Sequence, residues 1–366
     1  MARTVHAALK GWFARPGAYV LVDGQFGSTG KGLLAGVLAN YGAGAITHCT
    51  TNAGPNSGHT AYLPGQLAGA VEERKIVTQQ VPVASAFLSL MGYGCDTLIN
   101  AGAMIEPEIL RREVEEWLDY KRVFIHPNAA VIDPEDVLRD KAIVSAIAGT
   151  GKGTGPALAQ KVLRDPNATA ESYYQPMLPG TDGSGFDRTW DRFWDWSRDV
   201  VFVETAQGYS LGLNSSRFYP NVTSRECSVQ QALADARIPA QMLQRAVACY
   251  RTFPIRVGNT DNSSGGWYPD QRETTFEALG QEPEITTVTK RVRRIAEWSR
   301  IQFRESIACN MPDVVFINFM NYLPEDRWNE FLSLMKLDYM AVMGHAPEAI
   351  LIGTGPRSRD VAVWNG

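Results

Sequence analysis

Residues Val20-Leu-Val-Asp-Gly-Gln-Phe-Gly-Ser-Thr-Gly-Lys-Gly-Leu-Leu34 run from an apolar stretch through a glycine-rich turn with one lysine, then back to apolar residues at helical spacing. That pattern dictates strand, loop and helix in succession, the opening unit of an α/β protein. Gly24, Gly27, Gly30 and Gly32 let the backbone turn sharply and offer bare N–H groups to an anion. The following helix aims the positive end of its dipole at the same point, and Lys31 adds a full charge. The common phosphate-loop sequence G-x-x-x-x-G-K-[ST] is broken twice: Gln25 stands at its first glycine and Gly32 at its magnesium-binding hydroxyl. A glycine turn used only for packing is the competing reading.

Further apolar runs at about 76–81, 97–101, 122–125, 200–203 and 314–319 alternate with helical patterns at about 107–119, 134–147 and 156–164. This is the rhythm of a large, mainly parallel central sheet flanked by helices. Residues 226–251 read as two helices. The expected organisation is a single domain over 1–366, with 1–17 as an N-terminal extension and 166–198 and 258–275 as excursions from the sheet. A net charge of −4 gives no electrostatic reason to bind nucleic acid or an anionic membrane, which leaves small molecules as the expected ligands. No apolar run approaches the ~20 residues of a membrane span. The five cysteines are widely spaced with no C-x-x-C pair, which fits a reducing cytoplasm, the host's if a phage encodes the chain.

Other polar segments sit where strands end. Thr50–Thr60 is a compact loop with Asn56, Gly58 and His59, and Ala148–Pro156 is a second glycine-rich loop ahead of a helix ending near Arg164. Glu204-Thr-Ala-Gln-Gly208 and Tyr219-Pro-Asn-Val-Thr-Ser224 place amides and hydroxyls at a strand end. Ile285-Thr-Thr-Val-Thr-Lys-Arg-Val-Arg-Arg294 interleaves hydroxyls with cations. It reads either as a solvated face or as a site for carboxylate or phosphate capture by bidentate arginine.

In the same order, and from about residue 18 to 358, these segments resemble the adenylosuccinate synthetase family. The matching stretches are Gly27–Gly32, Asn56–Thr60, Gly149–Ala157, Glu204–Gly208, Val222–Ser224, Arg256–Gly258, Thr289–Arg293 and Gly353–Pro356. The resemblance implies a phosphate-loop-like fold and a magnesium-dependent ligase. A nucleoside triphosphate phosphorylates the 6-oxygen of a purine monophosphate, and the amine of L-aspartate then displaces that phosphate. By the same resemblance, Ser28, Lys31, His59 and Gln207 are catalytic, with His59 at the 6-oxygen. Ser28, Asn56, Thr150, Gln207 and Thr223 hold the nucleotide's base and phosphate, and Val257 meets the sugar through its backbone. Arg164 reaches the 5′-phosphate of a neighbouring subunit, which implies a shared-site homodimer. Thr289, Arg291 and Arg293 bind aspartate. Gly27, Thr29, Gly30, Lys31, Gly32, Gly58, His59, Thr60, Arg293, Asn318, Gly353 and Gly355 bind the triphosphate, and Gly58 and Ser28 ligate magnesium.

Two departures from the family pattern point to particular substrates. Ordinary members carry Asp at the position of Ser28, where the carboxylate takes the N1 proton of hypoxanthine. Serine is shorter and uncharged, so it leaves room beside N1 for the 2-amino group of guanine and can accept a hydrogen bond from it. The expected acceptor is therefore dGMP, as in the phage branch of the family that makes the precursor of diaminopurine DNA. Ordinary members also read GTP through a Lys-Leu-Asp motif; Asn318-Phe-Met320 stands there instead, and ATP or dATP becomes the expected donor. An ordinary IMP-using synthetase, a non-catalytic nucleotide-binding regulator and a generic phosphate-loop NTPase remain as alternatives.

Overall fold

The computed structural model describes residues 5–9, 11–62, 74–144, 147, 149–174, 194–257, 264–285 and 291–366. In chain order its elements begin with α1 (Val5–Leu9), β1 (Gly17–Asp23), α2 (Lys31–Gly42), β2 (His48–Thr51), β3 (His59–Tyr62), β4 (Lys75–Thr78) and α3 (Val83–Leu90). Next come β5 (Asp96–Ile99), β6 (Met104–Ile105), α4 (Pro107–Trp117), β7 (Val123–Ile125), β8 (Ala130–Val131), α5 (Pro134–Val144), α6 (Thr154–Val162) and α7 (Ala170–Tyr174). The second half holds β9 (Val200–Glu204), α8 (Val229–Asp235), β10 (Leu243–Arg251), β11 (Ile255–Arg256), β12 (Glu273–Thr274) and β13 (Arg294–Ala296). It closes with α9 (Arg300–Asn310), β14 (Val314–Asn318), α10 (Trp328–Met343), β15 (Ala349–Gly353) and β16 (Val361–Trp364).

A nine-stranded sheet in the order β16-β15-β14-β10-β1-β9-β2-β5-β7 runs through the molecule, parallel throughout except for β16. The opening strand β1 lies near its middle, between β10 and β9, and all seven of its residues are buried. Alternation along it feeds two cores. Tyr19 and Leu21 pack with α1–α4 on one face, and Ala18, Val20 and Val22 pack with α8, α9 and α10 on the other. A separate antiparallel trio, β11-β13-β12, packs on its own small cluster of Ile255, Phe276 and Ile295.

The expected α/β architecture is present, with two local corrections. Residues 226–251 hold one helix, α8, and then the central strand β10 rather than a second helix. The run Ala246-Val-Ala-Cys-Tyr250 is buried on both faces, and a strand covered on both sides loses the alternation that separates it from a buried helix. The 76–81 run leaves the main sheet: β4 pairs antiparallel with β3 in a two-stranded ribbon. The described part of 1–17 is docked on the core: Leu9, Trp12 and Phe13 are buried there, with Phe13 4.7 Å from Tyr19 between ring centroids. Residues 175–193 of the first excursion and 258–263 of the second lie outside the described residues, as does Thr289.

Candidate active site

Parallel strands present their carboxyl ends on one side of the sheet, and the loops there supply almost every nominated residue. The first is organised by a residue that sequence reasoning passed over. Asp23, buried at the end of β1, accepts from the backbone N–H of Gln25 (2.8 Å) and Gly27 (3.2 Å) through Oδ1. Its Oδ2 takes the Thr29 hydroxyl at 2.5 Å and lies 3.3 Å from Lys31 Nζ. One carboxylate thus shapes the whole turn. It stands before the glycines at a strand end, and its four partners come together only in the fold.

Lys31 is buried at the start of α2 and donates to the carbonyl of Gln207 at 2.7 Å, which ties the phosphate loop to the loop after β9. Gly30 has a left-handed backbone with φ 94°, and Gly32 is a glycine because of close approach. A Cβ at Gly30 would lie 2.1 Å from Asn318 Nδ2, and one at Gly32 would lie 2.5 Å and 2.6 Å from the backbone N and O of Thr60. The hydroxyl residue of the common phosphate loop is therefore excluded by the ribbon strand β3, which carries His59 against the loop. Asn318 donates to the carbonyl of Thr29 (3.3 Å) and would touch a Cβ at Gly353 at 2.3 Å, so it braces the loop from β14. Leu33, whose place the family usually gives to lysine, is buried in the first core and needs no role at the site.

Ser28 stands exposed at the loop's outer turn with φ 56°, and Gln207 has φ 64°; both are in the left-handed region that costs a non-glycine residue energy. Arg251, fully buried at the end of β10, reaches the Ser28 carbonyl at 3.4 Å and lies 3.8 Å from the Phe319 ring. It is paired with both oxygens of Glu284, which also accepts from the Tyr322 hydroxyl at 3.0 Å and lies 4.0 Å from Arg293. Backbone pairing of Arg293 with Glu284 closes the base of the loop expected to hold aspartate. Arg291 is exposed on that loop.

A cavity of about 560 Å³ gathers Asn56, Thr150, Gln207, Thr223, Val257 and Arg293, with Phe26, Ser224 and Arg256 in its wall. These nominated residues come from six separate segments, so their convergence is a property of the fold. The second glycine-rich loop reaches the cavity because Asp140 of α5 accepts from the Gly153 N–H at 2.8 Å and sets it at the start of α6, whose N-terminus has no side-chain cap. On the cavity-lining residues, Asn56 Oδ1, Ser224 Oγ and Arg256 Nη1 are buried without a hydrogen-bond partner. Buried polar atoms are costly when unpaired, so three of them around one cavity mark places for a polar ligand. Arg164 is exposed just beyond α6 and outside this wall.

His59 is held neutral. Burial, and then the charge of Lys31, pull its pKa down to about 3, so at neutral pH it offers an imidazole N–H rather than an imidazolium. Glu204, from the same motif as Gln207, serves the frame: it accepts from the backbone N–H groups of Val83 and Ala84 at the start of α3, and burial raises its pKa to about 7.

The family model described as adenylosuccinate synthetase matches residues 194–326. N6-succino-2-amino-2′-deoxyadenylate synthase of Vibrio phage phiVC8 is 35% identical over 93% of this chain and 96% of its own length. With that match, and with the site just described, the chain belongs to the adenylosuccinate synthetase family. Among solved structures, the succinoaminodeoxyadenylate synthetase of cyanophage S-2L, bound to dGMP and to dATP as an energy donor, superposes with a TM-score of 0.76 at 29% identity over 95% of both chains. The fully ligated adenylosuccinate synthetase of Plasmodium falciparum shares the fold, with a TM-score of 0.71 at 16% identity over 95% of this chain and 99% of its own.

Proposed function

We propose that the chain is an ATP- or dATP-dependent ligase that joins L-aspartate to the 6-position of dGMP, giving N6-succino-2-amino-2′-deoxyadenylate. Ser28 carries this reading. It puts an exposed, neutral side chain on the phosphate loop at the position where an IMP-using member has its proton-accepting carboxylate. In the first step N1 of the purine gives up its proton to water, and the γ-phosphoryl group passes from the triphosphate to O6 as the nucleoside diphosphate leaves. Lys31 and the loop amides offset its charge, and neutral His59 donates a hydrogen bond to O6. In the second, the amine of aspartate, held by Thr289, Arg291 and Arg293, forms a bond to C6 as phosphate leaves with O6. The α6 N-terminus with Thr150 and Thr223 takes the nucleotide phosphate, Asn56 and Gln207 the base, and Val257 the sugar.

Among the described residues no group of three or more His, Cys, Asp or Glu forms a metal cage. Gly58 is exposed with open space at its α-carbon. That suits magnesium, which keeps waters and binds mainly through substrate phosphates; the Gly58 carbonyl and the Ser28 hydroxyl would hold it. When bound it neutralises triphosphate charge.

The expected result is higher kcat/KM with dGMP than with IMP, and higher with ATP or dATP than with GTP, followed by product mass and phosphate release. A preference for IMP or for GTP would overturn the corresponding half of the proposal.

The same reading implies a homodimer. Leu138, Ile143, Val162 and Leu163 are exposed on the packed pair α5 and α6, next to Arg164, an apolar surface suited to a second copy. If Arg164 acts across that surface, Arg164→Ala and Lys31→Met homodimers should each be nearly inactive, and mixing them should restore activity through hybrid dimers. A monomer by sedimentation, or no recovery on mixing, would refute the shared site.

No helix among the described residues is long and apolar enough to cross a membrane, and all five cysteines are free thiols.

A further inference from the structure

Arg256 ends β11, one residue before Val257, and is only 4% exposed. Its guanidinium is fixed on every side but one. The rings of Phe26 and Phe218 lie 4.4 Å and 4.9 Å from it, Nε donates to the Ser264 carbonyl at 2.7 Å, and Nη2 donates to the Asn221 carbonyl at 3.3 Å. Gly265, with φ 92°, makes room for it, since a Cβ there would lie 2.6 Å from Nη2. Nη1 is left buried with no partner, on a residue that lines the same cavity as Asn56, Thr150 and Val257. Burial and the charge of Arg294 pull its pKa down to about 9, so it stays cationic at neutral pH. A cation locked by two rings and two carbonyls is too constrained to be a general electrostatic patch. Its Nη1 group is held by that frame with both N–H donors unpaired, and its ordering entropy is spent before any ligand arrives.

Within the cavity, the uncapped α6 N-terminus marks a phosphate end and Gln207 marks the end next to the phosphate loop. Arg256 adjoins Val257, the residue proposed to meet the sugar. We infer that Arg256 is a further substrate-binding residue, donating from Nη1 to the 3′-hydroxyl of the nucleotide's sugar. The inference rests on the cavity being the purine monophosphate site.

The test compares dGMP with 2′,3′-dideoxyguanosine monophosphate. A hydrogen bond from a charged donor that is left unmade should cost about tenfold in kcat/KM and in affinity. In Arg256→Met, which keeps the apolar stem, the two nucleotides should be used equally, with KM for dGMP raised and KM for ATP unchanged. Calorimetric titration of both nucleotides into the wild-type protein separates this contact from turnover. If dGMP binds but is not converted, the functional reading fails while the sugar contact can still be read. Equal affinity of the wild type for both nucleotides, or a tenfold difference that survives in Arg256→Met, would overturn the inference. Because the wild-type comparison needs no variant, poor folding of Arg256→Met leaves the inference open to refutation.

Discussion

Lys31→Met should lower kcat by about a thousandfold, the effect of deleting one preorganised donor to developing charge, enlarged here because a full cation is lost. Lys31 also holds two loops together, through Asp23 at 3.3 Å and the Gln207 carbonyl at 2.7 Å. Removing it leaves the Asp23 carboxylate buried without its cation, and breaking a buried pair from one side costs about 3 kcal/mol or more. The variant should therefore also unfold at lower urea. The two losses can be separated. Asp23→Asn in the Lys31→Met background should return much of the stability, because the uncompensated charge is gone, while activity stays lost. Phosphate release and urea melts on the wild type, both single variants and the double variant make the cycle. Activity that follows stability through all four proteins would mean that Lys31 is only a structural cation.

Gly32→Ser, which restores the hydroxyl of the common phosphate loop, should disable the enzyme. The new Cβ would lie 2.5 Å and 2.6 Å from backbone atoms of Thr60, which cannot swing aside as a side chain can. Either α2 or β3 has to shift, and β3 begins at His59. Misplacing a reacting group by a fraction of an ångström to an ångström costs up to about a hundredfold in rate, and overpacking costs about 1–3 kcal/mol. Gly36→Ala, one turn further along the same helix, is the control: its Cβ would lie 3.1 Å from the Ala61 side chain and 3.5 Å from Phe87. It should keep kcat with only a small change in stability, because the gain of about 0.4–1 kcal/mol from alanine in a helix offsets the slight shift asked of Ala61. Comparable kcat in Gly32→Ser and wild type, measured at saturating substrates, would show that β3 does not set the position of His59.

These two residues also show what a sequence can and cannot convey. The strand-loop-helix reading of Val20–Leu34 needed only glycine spacing and apolar flanks, and the fold reproduces it. Gly32 looked like a defect because its reason, the backbone of Thr60, lies 28 positions away in sequence. Asp23 was passed over because a strand-end carboxylate is silent until its four partners are seen around it. β10 was misread because a strand in the middle of a parallel sheet has no polar face to betray its period. Six nominated residues share the cavity wall, whereas Arg256 went unnominated although the motif around it was noted. Its signal is a partnerless atom, and only coordinates reveal that. Thr289 lies outside the described residues, so its part in aspartate binding rests on the resemblance alone.

The setting of Ser28 bears on how such an enzyme can change its substrate over evolutionary time. Its carbonyl is held by Arg251, but its side chain is exposed and its hydroxyl makes no hydrogen bond among the described residues. The fold therefore asks only for a residue that accepts a left-handed backbone, a demand that aspartate and asparagine meet better than serine. Exchange at this position carries little folding cost, because Asp23, Asn318 and Arg251 keep the loop in shape from outside it. On the role proposed for Ser28, a lineage changes purine acceptor by drift at one surface residue, while the residues that shape the loop are inherited unchanged.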